Sequence, residues 1–199
     1  MYDRKQVKLA AKESLNGKFG LVIGGLLVVA LIILVSAYIP FAALILVGVL
    51  NVGLAFAMLG IVRGANVEFK DFFSGFNNFG TNCGAGILVG IFTFLWSLLF
   101  VIPGIVKSYS YAMTFYILAD HPEMTATEAI TASRKMMDGH KFDLFVLQLS
   151  FFWWYLLCYL TFGIAYFYVA PYIAASTAKF YDTIKVDFET PKAEVNEEI

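Results

Sequence analysis

The chain has 199 residues, of which 60% are hydrophobic and only 15% charged, with a formal net charge of −1. A soluble domain carries roughly a quarter charged residues, so this composition excludes an ordinary water-solvated surface and makes lipid the expected solvent. The near-zero net charge argues against nucleic acid as a partner, and two cysteines, Cys83 and Cys158, are too few for a disulfide framework.

In chain order, Val7, Ala11 and Leu15 share one helical face with Lys8 and Lys12 on another, which predicts a short amphipathic helix. The apolar run 19–39 follows. It exceeds the ~7–15-residue core of a cleavable signal and no small-residue cleavage site follows it, so it is expected to be a retained span. Ile39-Pro40 turns the chain into a second span, 41–62, with the amide Asn51 midway along it. Asn51 is expected to bond a neighbouring helix or to line a polar cavity.

A second amphipathic segment follows, with Phe69, Phe72, Phe73 and Phe76 at i, i+3, i+4, i+7 spacing. It leads into span 84–101, the turn Ile102-Pro103-Gly104 and span 104–119. Gly20/Gly24 and Gly86/Gly90 are small-xxx-small pairs that permit close helix approach. Lys107 sits four residues past Pro103, inside the fourth span. An intramembrane cation is a functional hypothesis by default, and with Tyr109, Ser110 and Tyr111 it is a candidate contact for an anionic headgroup or solute. The plainer account is that its four-carbon stem carries the ammonium out to the nearby interface, marking the outer boundary.

The third unit opens with Thr125 and Glu128 at capping-box spacing, then Ala126, Ile130, Ser133 and Met137 on one face. Asp120, Glu123 and Glu128 are read as caps and helix-dipole partners. Arg134, Lys135, His140 and Lys141 are a candidate contact for anionic inner-leaflet lipid, with Arg134 and Asp138 placed to pair at i, i+4. Spans 143–160 and 163–181 complete the unit around the turn Thr161-Phe162-Gly163, with Gln148 a second amide in lipid. Tyr159, Tyr166 and Tyr168 suit an outer aromatic belt, with Trp153 and Trp154 deeper. Pro171 removes a helix bond to the Phe167 carbonyl and is expected to kink the last span. Residues 182–199 are acidic and poor in apolar residues, the composition of a disordered tail.

The expected fold is therefore all-α: six transmembrane helices arranged as three helical hairpins, each preceded by a short cytoplasmic amphipathic helix. Residues 1–181 form a single membrane domain of units 1–62, 63–123 and 124–181. The turns recur about every 60 residues, which suggests an internal repeat, and AAKESLNGKFGL (10–21) echoes ASRKMMDGHKFDL (132–144). The three turns hold no charged residue, and every Lys and Arg except Lys107 lies on the other side. The positive-inside rule then puts both termini in the cytoplasm. His121 and His140, the only histidines, have no metal-site spacing, and no phosphate loop, nucleophile elbow or paired-carboxylate motif is present. No metal, cofactor or catalytic residue is expected.

The blocks PGIVKSYSYAM (103–113), EAITASRKMMDGHK (128–141) and TFGIAYFYVAPY (161–172) resemble an uncharacterised bacterial integral-membrane family, domain-of-unknown-function family nine-seven-five. The resemblance implies a multi-span protein of the bacterial plasma membrane and carries no established activity. A looser likeness, in architecture alone, exists to the membrane domain of some glycerophosphodiesterases, whose soluble catalytic domain these residues do not include. The leading expectation is a non-enzymatic scaffold or accessory subunit, partnered by another membrane protein or by copies of itself. The alternative is a small transporter or lipid-handling protein built around Lys107.

Overall fold

The computed structural model describes residues 4–36, 38, 42–99 and 101–189, and among them the chain is all helix and turn, with no strand. The elements are α1 (Arg4–Ser14), α2 (Phe19–Ser36), α3 (Ala42–Val62), a 3₁₀ segment (Phe69–Asn78), α4 (Phe79–Leu99) and α5 (Val101–Tyr111). They continue with α6 (Thr114–Asp120), α7 (Ala126–Met136), α8 (Lys141–Leu149), α9 (Phe152–Leu160) and α10 (Tyr166–Glu189).

The amphipathic segments fall where the periodicity puts them. Val7, Ala11 and Leu15 are buried, as are Ile130, Ser133 and Met137. Thr125 caps α7 in a reciprocal box, with the Glu128 carboxylate accepting from the Thr125 N–H at 2.8 Å. The phenylalanine stripe is a 3₁₀ helix, not an α-helix. Its tighter winding sets Phe72 into the core and leaves Phe69 and Phe76 exposed. The echo between 10–21 and 132–144 has a structural counterpart. Gly17 and Gly139 both adopt positive φ, +75° and +84°, just past α1 and α7, and the preceding Leu15 and Met137 are both fully buried. Left-handed backbone there ends each amphipathic helix and turns the chain into the next.

The core centres on α3, which is apolar on all sides. Leu50, Ala57, Met58 and Ile61 on it are fully buried. The 3₁₀ segment, α4, α6 and α10 surround it. α3 and α4 meet backbone to backbone at Gly48 and Gly86, where a Cβ added to Gly86 would stand 2.6 Å from the Gly48 Cα. Of the paired glycines expected to make such contacts, Gly86 does and Gly20 does not, having nothing within 4 Å of an added Cβ.

Among the described residues, four segments are long and apolar enough to cross a membrane: Phe19–Ser36, Ile45–Val62, Phe69–Leu98 and Lys141–Leu160. Of the six expected spans, four coincide with such segments. The stretch 104–119 is divided at Ala112–Met113 into α5 and α6, and 143–160 at Ser150–Phe151 into α8 and α9. Both divisions coincide with serines whose hydroxyls bond back into their own helix, Ser110 to the Val106 carbonyl at 3.0 Å and Ser150 to the Leu147 carbonyl at 2.5 Å. Such back-bonding bends helices. Pro103 and Gly104 lie within the first turn of α5, where a missing N–H is tolerated. The turn at Thr161-Phe162-Gly163 is present, closed by the Gly163 N–H donating to the Cys158 carbonyl at 2.8 Å. The turn at Ile39-Pro40 lies outside the described residues.

α10 passes through Pro171 as one helix. It continues beyond residue 181 to Glu189, so the first part of the expected disordered tail is folded; residues 190–199 lie outside the described residues. Ile184 is 1% exposed and Asp182 and Lys185 are ion-paired, which holds those turns against the core.

Candidate functional site

α7 lies alongside α5. The buried Ser133 hydroxyl donates to the Ser110 carbonyl at 2.9 Å, which sets the C-terminal turns of α7 beside Lys107. The chain then reverses at Gly139 and brings Lys141, the first residue of α8, to the same place. The product is a cleft of about 310 Å³ walled by Lys107, Arg134, Lys135, Asp138 and Lys141, with Ser110 and Thr131 adding hydroxyl-bearing positions.

Four cations face one carboxylate in this cleft. Asp138 pairs with Lys141 at 3.6 Å, not with Arg134, because α7 ends at Met136 and the i, i+4 register is lost. Among the described residues no acid stands within ion-pair distance of Lys107, Arg134 or Lys135. The Lys107 ammonium rests 4.6 Å from the centre of the Trp96 ring, a cation–π contact that leaves its three donors for other partners. Clustered like charges repel one another, and an anion relieves that repulsion. A guanidinium offers paired donors to a phosphate or carboxylate, and lysines offer point charges.

The structure therefore joins two groups that the sequence reading set on opposite sides. Lys107 shares a cleft with Arg134, Lys135 and Lys141, since α7 runs along α5. The other predicted site residues go elsewhere. Tyr111 is 5% exposed and faces Phe92 on α4, their ring centres 6.1 Å apart. His140 contacts Asp143 at 3.2 Å. Tyr109 donates to Gln148 Oε1 at 2.7 Å, the interhelical amide bond expected of Gln148. Asn51 makes no such bond among the described residues: its Nδ2 donates to the Val47 carbonyl of its own helix at 2.7 Å.

A second polar constellation was not anticipated. Arg63, just past α3, grips Asp120 at the end of α6 through two bonds of 2.6 and 3.0 Å and reaches Asp182 on α10 at 2.7 Å. Lys185 and the Tyr181 hydroxyl also donate to Asp120 Oδ2, at 2.5 and 3.2 Å. Burial alone would raise the Asp120 carboxyl, but the bonds from Arg63 and Lys185 and their charges outweigh it and hold the group well below the usual carboxylate range. Asp120 is thus the hub of a three-helix ion cluster and not a cap. The signal available in the sequence was the continuing apolar period Ala175, Ala178, Tyr181, Ile184, which carries α10 into the supposed tail.

Lys8 on α1 was likewise read only as a polar-face residue. Its ammonium donates to the Ser150 hydroxyl at 3.1 Å and to the Ser150 carbonyl at 3.4 Å, and sits 3.9 Å over the Phe151 ring. It thereby supports the break between α8 and α9. Burial, with the Arg4 charge second, lowers its pKa.

No curated protein and no solved structure matches this chain. A family profile does, over residues 1–110 and 98–187, which together span nearly the whole sequence. The chain belongs to the family described as "Protein of unknown function (DUF975)".

Proposed function

We propose that this is a non-enzymatic, multi-pass protein of a bacterial cytoplasmic membrane, with both termini inside, that binds an anionic group in the cleft between α5, α7 and α8. One observation carries the reading: Lys107, Arg134, Lys135 and Lys141 converge on a single cavity with Asp138 as the only acid in its wall among the described residues. The apolar surface favours the membrane setting. Leu31, Leu34, Phe94, Leu98, Trp153 and Phe162 are exposed, as side chains solvated by lipid are. Three of these cations, Lys107, Arg134 and Lys135, have no acid partner among the described residues; a pure scaffold or accessory subunit has no need of such concentrated charge, so the binding role is preferred over that reading.

Binding of glycerol 3-phosphate to the detergent-solubilised protein tests the proposal. Lys107→Gln is expected to weaken binding about tenfold, the effect of losing one charge-assisted bond, with unchanged abundance in the membrane. Equal binding by wild type and variant, or no binding by either, overturns it.

A further inference from the structure

The basic cleft does not stand alone. On the adjoining face of α5 runs an apolar groove of about 270 Å³, lined by Ile105, Val106 and Tyr109 and, across from them, by Phe142 and Phe145 of α8. Lys141 is common to both: it lines the groove and the cleft. A lysine at such a seam can lay its aliphatic stem along apolar surface with the ammonium among the other charges. The helical spacing of α5 divides the two environments, with 105, 106 and 109 on the groove side and 107 and 110 on the cleft side.

We infer that the ligand is a phosphate-bearing lipid, its headgroup held in the cleft by Lys107, Arg134, Lys135 and Lys141 and one acyl chain lying in the groove between α5 and α8. This rests on the anion-binding reading above and names the class of anion. A free anion satisfies the cleft and leaves Ile105, Val106, Phe142 and Phe145 exposed as they are now, at 50, 44, 71 and 41%. A neutral apolar molecule fills the groove and leaves the cations unanswered. A single amphiphile with negative charge at one end complements both, and the shared Lys141 fixes where head and tail must meet. The groove also has a fixed floor. Tyr109 is tied to Gln148 at 2.7 Å and meets Phe145 edge to face, ring centres 6.1 Å apart, so the chain-binding wall is set before a ligand arrives.

Calorimetric titration of the whole protein in a neutral detergent with three probes tests this: dioctanoyl phosphatidylglycerol, glycerol 3-phosphate and dioctanoylglycerol. The phosphatidylglycerol is expected to bind at least tenfold tighter than either of the others. Phe142→Gln, at an exposed position that the core does not need, is expected to weaken the phosphatidylglycerol severalfold and leave glycerol 3-phosphate unchanged, whereas Lys107→Gln weakens both. If glycerol 3-phosphate binds as tightly as the lipid and Phe142→Gln changes nothing, the acyl-chain site is wrong and the anion site survives. If dioctanoylglycerol binds as well as the charged lipid and Lys107→Gln is silent, both readings fall. Binding of none of the three does the same.

Discussion

Arg63 and Asp120 are joined by two parallel hydrogen bonds, although 57 residues separate them in the chain. The pair locks the end of α3 to the end of α6, and Lys185 and Asp182 extend the lock to α10. The Asp120 side chain is only 13% exposed, so its removal takes a largely buried counter-charge away from Arg63 and Lys185, although Arg63 keeps its bond to Asp182. Asp120→Asn is expected to cost about 1–2 kcal/mol, less than breaking a fully buried pair because Arg63 is 38% exposed and keeps Asp182. A thermal melt in detergent reads this as a fall in midpoint. An unchanged midpoint would show the cluster to be ornamental.

The same carboxylate sets an acid limit. Because its folded pKa lies below the unfolded value of about 3.9, the stability it contributes is complete above that value and is lost as pH falls towards the folded pKa. Stability is therefore expected to drop below about pH 4. Asp120→Asn, starting lower, should show a smaller drop over that window. Parallel acid titrations of the two proteins check it; identical slopes would count against this assignment.

Lys8 predicts a local effect. Lys8→Met keeps the apolar stem and removes the bond to Ser150 and the charge over Phe151. The cost is about 1–2 kcal/mol. Hydrogen exchange should quicken at the amides around 150–155 with little change in α3. A uniform change across the chain, or none, would contradict the view that Lys8 supports the α8–α9 break.

Two glycines, Gly86 on α4 and Gly20 on α2, should respond in opposite senses. Gly86→Ala puts a methyl group within 2.6 Å of the Gly48 backbone and is expected to destabilise by about 1–3 kcal/mol through overpacking. Gly20→Ala has open space around it and should stabilise α2 by about 0.5–1 kcal/mol, the ordinary helix preference for alanine. Melting curves of both variants decide the point. Similar behaviour of the two would rule out the α3–α4 contact as drawn.

Within the linear chain, periodicity and charge determined the all-helical class, the buried faces of α1 and α7, the capping box at Thr125 and, among the described residues, four segments long and apolar enough to cross a membrane. These are local properties: a repeat near 3.6 residues buries one face whatever lies opposite, and twenty apolar residues prefer lipid in any arrangement. The folded arrangement alone decided that Lys107 meets Arg134, Lys135 and Lys141, that Asp120 joins Arg63 and Lys185, and that two apolar runs break, at Ala112–Met113 and Ser150–Phe151. Each of those depends on which helix lies beside which. Backbone contact at Gly48 and Gly86 and the Ser133–Ser110 bond choose the neighbours, and side chains far apart in sequence then share one field.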